Sequence, residues 1–173
     1  TNAASLIIAL EEMNLIKKEN PKIYASLGAD IPCFLYNKNC LALGIGEVIC
    51  PQIYPKYYFL LVKPNFNNST KYMYSKLGLK LDSTSISKDD FQINDEDSGN
   101  DFEKILIENI KFKQIMEFLD NLEMSIFARM TGTGSCCFAV FEKKEHAIKA
   151  NKIFKLNFKD LWSQVCENNI IDN

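Results

Sequence analysis

Two short segments constrain this chain more than any other feature of its sequence: LGADIP at residues 27–32 and MTGTGS at residues 130–135. Both place glycine and small hydroxyl residues where a backbone has to approach another group closely. The first segment also holds one carboxylate, Asp30, directly before the conformationally restricted Ile31-Pro32 step. A fold for this chain must therefore present two backbone segments that leave room for a close neighbour.

The composition favours a packed globular protein and excludes several classes of function. Of the 173 residues, 47% are hydrophobic and 12% aromatic, which is enough for a substantial core. A formal net charge of −2 gives no basic face for nucleic acid. No apolar stretch reaches the roughly 18 residues that a membrane span needs, and residues 1–10 lack a basic leader. We therefore expect a cytoplasmic protein with neither nucleic acid nor membrane as a partner.

The six cysteines show no CxxC spacing and have no paired histidine: they are Cys33, Cys40, Cys50, Cys136, Cys137 and Cys166. Most of them lie in apolar runs, which is typical of reduced core cysteines in a cytosolic protein. The sequence therefore predicts no metal site.

The first residues predict a helix that belongs to a longer protein. Residues 2–16 are apolar at too many positions for a surface helix, so we expect this helix to be buried on most sides. Thr1 stands where an N-cap would stand. Because the apolar run opens at Thr1-Asn2 with no strand before it, we interpret the chain as the interior of a larger sequence.

Cap and turn residues divide the next part of the chain. Asn20-Pro21 predicts a helix start, and Gly28 predicts a left-handed cap at the end of that helix. β-strand patterns follow at residues 33–36, 40–43 and 47–50.

From residue 57 onward, the predicted order is one strand, several helices, two strands, a helix and a strand. This order indicates a ferredoxin-like split βαβ domain, whose four-stranded antiparallel sheet is covered on one face. Residues 1–50 do not close into a unit alone, so we predict an α+β protein with a domain remainder at 1–50 and a second domain at 51–173.

Several of these residues suit phosphoryl transfer, although each has a simpler explanation. Asp30 could act as a general base, or it could only cap local backbone. The amides of the 131–135 loop could face an anion, or the loop could be an ordinary hairpin turn. The helix start at Thr1-Asn2 could present amides to a phosphate. Tyr74 could stack on a nucleobase, or it could pack in the core.

Four segments, taken in order, carry a resemblance to a known family: LGADIPCFLYNKNCLALGIGEVI (27–49), KPNFNNST (63–70), NDFE (100–103) and MTGTGSCCFAVF (130–141). They closely resemble the GHMP kinase superfamily, and within it the kinases that act on 4-diphosphocytidyl-2-C-methyl-D-erythritol in non-mevalonate isoprenoid synthesis. The resemblance covers nearly the whole chain and is weakest at 79–99 and after 155.

The resemblance implies an ATP-dependent, Mg²⁺-assisted kinase that phosphorylates the 2-hydroxyl of its cytidine diphosphate-linked substrate. It implies that Asp30 is the catalytic base, that Tyr74 stacks on cytosine and that Thr70 lies near the substrate. It also implies that Gly132, Thr133 and Gly134 support the phosphate site, with Thr1 and Asn2 as the end of the ATP loop. Residues 1–50 then belong to the ATP-binding domain and residues 51–173 to the GHMP kinase C-terminal domain, with a homodimer left open.

The sequence departs from the family at its start, because most of the ATP loop and the upstream substrate-binding residues precede Thr1. We therefore expect the chain alone to be inactive. Two alternatives remain: another GHMP kinase, of the mevalonate-pathway or homoserine type, and a non-catalytic ferredoxin-like module for binding or oligomerisation.

Overall fold

The computed structural model describes residues 2–77 and 99–168 of the chain. These residues form two compact units, one made of residues 2–55 and the other of Lys56–Asn168. Within these ranges, no helix combines the length and the apolar character needed to cross a bilayer.

The first unit contains three helices followed by a β-hairpin. Its elements are α1 (Asn2–Glu12), α2 (Pro21–Leu27), α3 (Ile31–Tyr36), β1 (Cys40–Leu43) and β2 (Val48–Pro51). The predicted start of α2 is confirmed, because the Asn20 side-chain oxygen accepts a hydrogen bond from the Lys22 N–H at 2.9 Å. A small core of Ala4, Ile7, Tyr24 and Ile31, with Leu35 packed against it, joins the three helices.

Two predictions about the residues around Asp30 are wrong. Residues 33–36 form helix α3 and not a strand, since Pro32 occupies the first helical turn, where its fixed φ and missing N–H suit a helix. Gly28 does follow the end of α2, but its φ of 171° is extended and not left-handed. Apolar residues in a six-residue segment fit a short helix as well as a strand, which explains the first error.

Helix α1 is less buried than its apolar pattern predicts. Only Ala4 and Ile7 are buried on it, whereas Leu6 is 60% exposed and Met13, just after the helix, is 66% exposed. The pattern correctly predicts the helix, but it cannot tell which neighbours are available to cover each side.

The second unit is a four-stranded antiparallel sheet with helices between its strands. Its elements are β3 (Tyr58–Lys63), α4 (Thr70–Leu77), α5 (Asp101–Leu106), α6 (Ile110–Asp120), β4 (Ala128–Met130), β5 (Cys137–Phe141), α7 (Lys144–Asn157) and β6 (Trp162–Glu167). The strand order is β4-β5-β3-β6, and every neighbouring pair is antiparallel. This architecture confirms the predicted α+β class with a four-stranded antiparallel sheet.

The core of the second unit lies between the sheet and helices α6 and α7. Alternate residues of the central strands are fully buried there, including Leu60 and Val62 on β3 and Ala139 on β5. On the opposite face of the sheet, the Phe59 and Phe138 rings lie 6.1 Å apart and are only partly buried. The sheet edge at β4 leads directly into the glycine-rich loop, so this core fixes where the loop begins.

Candidate active site

Asp30 precedes α3 in the N-cap position, and its side chain is exposed. Its backbone has helical φ and ψ values of −81° and −16°, and its carboxylate makes no capping hydrogen bond. Among the described residues, the carboxylate also has no ion-pair partner. The structure therefore shows no capping role for this side chain.

A glycine turn at residues 44–47 packs against the backbone that carries Asp30. Gly46 has a φ of +96°, and a Cβ atom there would lie only 1.9 Å from the Ala29 carbonyl oxygen. The turn is closed by the Glu47 carboxylate, which accepts a hydrogen bond from the Ile45 N–H at 2.7 Å. This contact between the turn and Ala29 was not predicted from the sequence, although the two closely spaced glycines of GIGE indicate a backbone that approaches a neighbour.

The 131–135 loop connects β4 to β5, so it is a hairpin connection. The Thr131 N–H donates to the Cys136 carbonyl and the Gly134 N–H donates to the Thr131 carbonyl, each at 2.8 Å. Gly132 and Gly134 have φ values of +47° and +82°, as expected for glycine in a tight loop. Within the described ranges, the N–H groups of Gly132 and Thr133 donate to no protein acceptor, so they remain available to an anion.

Residues that follow β3 hold one side of the glycine loop. The Ser135 hydroxyl is fully buried and donates to the Phe66 carbonyl at 2.5 Å, and the Asn68 side-chain amide donates to the Thr133 carbonyl at 3.3 Å. The Thr70 and Thr133 hydroxyl oxygens lie 3.3 Å apart. The structure therefore brings Thr70, predicted to lie near substrate, into contact with a predicted phosphate-site residue.

The start of α5 holds the other side of the loop, and the sequence analysis assigned no role to it. The Asn100 side-chain nitrogen donates to the carbonyl oxygens of Met130 at 2.9 Å and Gly132 at 2.7 Å. The Glu103 carboxylate accepts from the Met130 N–H at 2.5 Å. The NDFE segment carried the resemblance, but its contacts span about thirty positions along the chain and have no local sequence signal.

Tyr74 lies on α4 with 52% of its surface exposed, so core packing does not account for it. Its ring makes an edge-to-face contact with the Phe102 ring, with the centroids 5.1 Å apart and the planes at 77°. Since Thr70 and Tyr74 are four residues apart on one helix, their side chains share a face. That face therefore combines a hydroxyl with a supported aromatic ring.

The two predicted ATP-loop residues are placed less informatively. Thr1 lies outside the described residues, and Asn2 is the exposed first residue of α1. The Arg129 guanidinium donates to the Ala128 carbonyl and lies over the Phe127 ring at 5.6 Å. His146 is on α7 among lysine and glutamate residues.

Burial changes the pKa values of two side chains near the glycine loop. Desolvation raises the pKa of the Glu103 carboxyl, while the hydrogen bond from Met130 and the charge of Arg129 oppose that shift. Burial likewise raises the pKa of the Cys137 thiol to about 12, so this thiol stays protonated. Within residues 2–77 and 99–168, no three His, Cys, Asp or Glu side chains group to hold a metal ion.

Comparison with known proteins identifies relatives for both units. The family model described as "GHMP kinases C terminal" matches residues 90–160. The chain is 33% identical to the 4-diphosphocytidyl-2-C-methyl-D-erythritol kinase of Buchnera aphidicola subsp. Schizaphis graminum over 161 residues, covering 91% of this chain and 53% of that protein. The protein of the same name from Haemophilus ducreyi is 30% identical over 172 residues, covering 96% and 58%. The chain thus spans about half the length of the curated relatives it matches.

A solved structure shows the same fold. The crystal structure of a 4-(cytidine 5'-diphospho)-2C-methyl-D-erythritol kinase superposes with a TM-score of 0.69, covering 96% of this chain and 64% of that one at 20% identity. Residues 90–160 thus match the GHMP kinase C-terminal family model, and the chain is similar over most of its length to the 4-diphosphocytidyl-2-C-methyl-D-erythritol kinases named above.

Proposed function

We propose that the complete protein containing this chain transfers the γ-phosphoryl group of ATP to the 2-hydroxyl of 4-diphosphocytidyl-2-C-methyl-D-erythritol. The observation that carries the proposal is the contact between Thr70 and Thr133, because it joins the helix of the expected substrate residues to the expected phosphate loop. The named relatives at 30–33% identity support the choice of substrate.

In this reaction, Asp30 is the general base. As the substrate oxygen forms its bond to the γ-phosphorus and the bond to the ADP oxygen breaks, the hydroxyl proton passes to the Asp30 carboxylate. An exposed carboxylate without a capping bond can take this role, and the Gly46 contact restricts the backbone that carries it.

The glycine loop stabilises charge on the transferred group. The N–H groups of Gly132 and Thr133 have no protein acceptor among the described residues, and Gly134 closes the turn that orients them. Backbone donors already fixed in position need no reorganisation as charge develops on phosphate oxygens, which is how such loops lower a barrier.

Tyr74 and Thr70 recognise the substrate. The exposed Tyr74 ring stacks on cytosine while its contact with the Phe102 ring supports it, and the Thr70 hydroxyl offers a hydrogen bond on the same side of α4. Stacking on an aromatic ring contributes about 1–3 kcal/mol per base in single-stranded nucleic acid complexes.

Binding of ATP also involves residues outside the second unit. Thr1 and Asn2 would form the end of the ATP loop, and residues 1–50 would be the remainder of the ATP-binding domain before a ferredoxin-like C-terminal domain at 51–173. The described residues provide no carboxylate cluster for a dedicated magnesium cage, so Mg²⁺ is expected on the ATP phosphates. We propose that the enzyme is cytoplasmic, with a homodimer as one possible quaternary structure.

Substrate choice is tested by phosphate transfer in the complete protein. With ATP present, we expect turnover of 4-diphosphocytidyl-2-C-methyl-D-erythritol and none above background for mevalonate or homoserine. Preferred phosphorylation of mevalonate or homoserine would assign another GHMP kinase activity. If the complete protein folds and binds ATP but phosphorylates none of these three alcohols, the non-catalytic module is favoured.

A further inference from the structure

We propose that the first turn of α5, residues 100–103, is a positioning element that sets the glycine loop and the Tyr74 ring relative to one another. Asn100 fixes the loop, Phe102 fixes the ring, and Glu103 ties the same turn to the end of β4. This inference rests on the proposed function for its effect on catalysis, but the contacts themselves lie within the second unit.

Asn100 determines the direction of one peptide group in the loop. Its side-chain nitrogen holds the Gly132 carbonyl oxygen at 2.7 Å. In a planar trans peptide, the carbonyl and the following N–H point in opposite directions, so this bond turns the Thr133 N–H away from Asn100. The second bond, to the Met130 carbonyl at 2.9 Å, fixes the preceding part of the loop in the same way. The Thr133 amide is thus aimed by a side chain about thirty positions upstream.

The side-chain oxygen of Asn100 stabilises the start of α5. The Asn100 oxygen accepts a hydrogen bond from the Phe102 N–H at 3.0 Å and so caps α5. Because oxygen and nitrogen of one amide are engaged at once, the loop and the start of the helix cannot move independently. The Asn100 amide has no freedom to rotate without breaking one of these bonds.

Glu103 and Phe102 complete the element. The Glu103 carboxylate is half-buried and holds the Met130 N–H at 2.5 Å, directly before the loop. Phe102 presents its ring to Tyr74 at a centroid distance of 5.1 Å, in the edge-to-face arrangement that aromatic pairs favour. One helical turn therefore contacts both the residues expected at the phosphate and the residue expected at the base.

The chain offers a matched pair of variants for the test. Asn100→Asp keeps the oxygen that caps α5, but it removes the donor to the loop and places a carboxylate against two carbonyl oxygens. Asn109 caps α6 through bonds to the Lys111 and Phe112 N–H groups and makes no bond to the loop, so Asn109→Asp is the control. Phe102→Leu removes the aromatic ring that contacts Tyr74 while keeping an apolar side chain.

Two measurements separate positioning from general stability. The first is hydrogen exchange at the Thr131 and Gly134 amides, whose N–H groups are hydrogen-bonded to the Cys136 and Thr131 carbonyls, and the second is kcat and KM in the complete protein. For Asn100→Asp we expect loop exchange to accelerate and kcat to fall by about tenfold or more, because small misplacements near a reacting group are costly. We expect KM for ATP and the cytidylyl substrate to change by less than about threefold, since the base-stacking ring stays supported. Phe102→Leu should instead raise KM for the cytidylyl substrate alone.

The proposal fails if Asn100→Asp leaves loop exchange at the wild-type rate, or if exchange accelerates while kcat matches that of Asn109→Asp. It also fails if both Asp variants lower kcat equally, because that would reflect helix stability. A complete protein that phosphorylates none of the three alcohols would overturn the proposed function. In that case the exchange comparison would still decide whether Asn100 orders the loop.

Discussion

Gly132 and Gly134 stand in the same loop but have different surroundings. A Cβ atom at Gly132 would have no neighbour within 4 Å, whereas one at Gly134 would lie 2.5 Å from the Met130 sulfur and 2.9 Å from the Asn68 amide nitrogen. Both residues have positive φ, so both substitutions carry backbone strain, but only Gly134 also lacks space. The sequence shows two equivalent glycines, and only the packed structure separates their roles.

This difference predicts unequal costs of alanine substitution. Gly132→Ala should lower the free energy of unfolding by about 1 kcal/mol, from backbone strain alone. Gly134→Ala should lower it by about 3 kcal/mol, because overpacking adds to the strain. Denaturant unfolding of the two variants measures the difference, and equal losses would show that the packing around Gly134 relaxes freely.

Asn100 and Glu103 illustrate what residue-level sequence reasoning cannot supply. Their identity in an NDFE segment is visible in the sequence, but their partners are loop atoms at residues 130 and 132. Only the pairing of β4 with β5 and the packing of the helices bring these positions together, so the contact follows from tertiary structure and not from local pattern.

At the scale of elements, local chemistry predicted the Asn20 cap and most strands correctly, but it failed for the Gly28 conformation and for the short helix after Asp30. The hairpin β1–β2 and strand β3 have clear alternating or apolar runs bounded by turn residues, and both are confirmed. Helix α3 is only six residues long. The pattern of apolar residues in so short a segment does not distinguish a helix from a strand.

The packing of the 44–47 turn against the start of α3 gives an element-scale prediction. Gly46→Ala would drive a Cβ atom into the Ala29 carbonyl, so the segment leading to Asp30 must shift. We expect a loss of about 2–3 kcal/mol in the free energy of unfolding and reduced turnover in the complete protein. Thermal unfolding and a kinase assay measure these effects.

Gly44→Ala is the matched control for that experiment. Its φ of +69° is also positive, but the atoms nearest to an added Cβ belong to the Glu47 side chain, which can swing aside. Gly44→Ala should therefore cost less than Gly46→Ala. If the two variants lost the same stability, the contact with Ala29 would not be what fixes the segment.

At the scale of the whole molecule, the exposed apolar side chains of the first unit predict self-association of the isolated 173-residue chain. Leu6, Met13 and Leu27 are each at least 60% exposed. Exposed apolar side chains of this kind favour association. Analytical ultracentrifugation should show concentration-dependent species, and the double variant Leu6→Gln, Met13→Gln should reduce them. Leu156→Gln, on the lysine-rich α7 of the second unit, should not. A monodisperse wild-type monomer would refute this prediction.

The class of fold and the resemblance to the GHMP kinases were predictable at this scale, because the first depends on the order of elements and the second on four separate motifs. The four-stranded antiparallel sheet follows from the order of elements, and the resemblance agrees with the relatives found. The roles of Asp30, Thr70, Tyr74 and the loop glycines stay predictions, because no ligand contact defines them. The division of the chain at residue 50 into parts of two kinase domains likewise stays a prediction.

The central claim is that Asp30 accepts the proton of the attacking hydroxyl, and the most direct test is the turnover of Asp30→Asn in the complete protein. Because Asn cannot accept that proton and the Asp30 side chain caps nothing, kcat should fall by about 10² or more. The unfolding midpoint should match that of the wild type. Turnover within a few-fold of the wild type, in a variant that folds normally, would contradict the account.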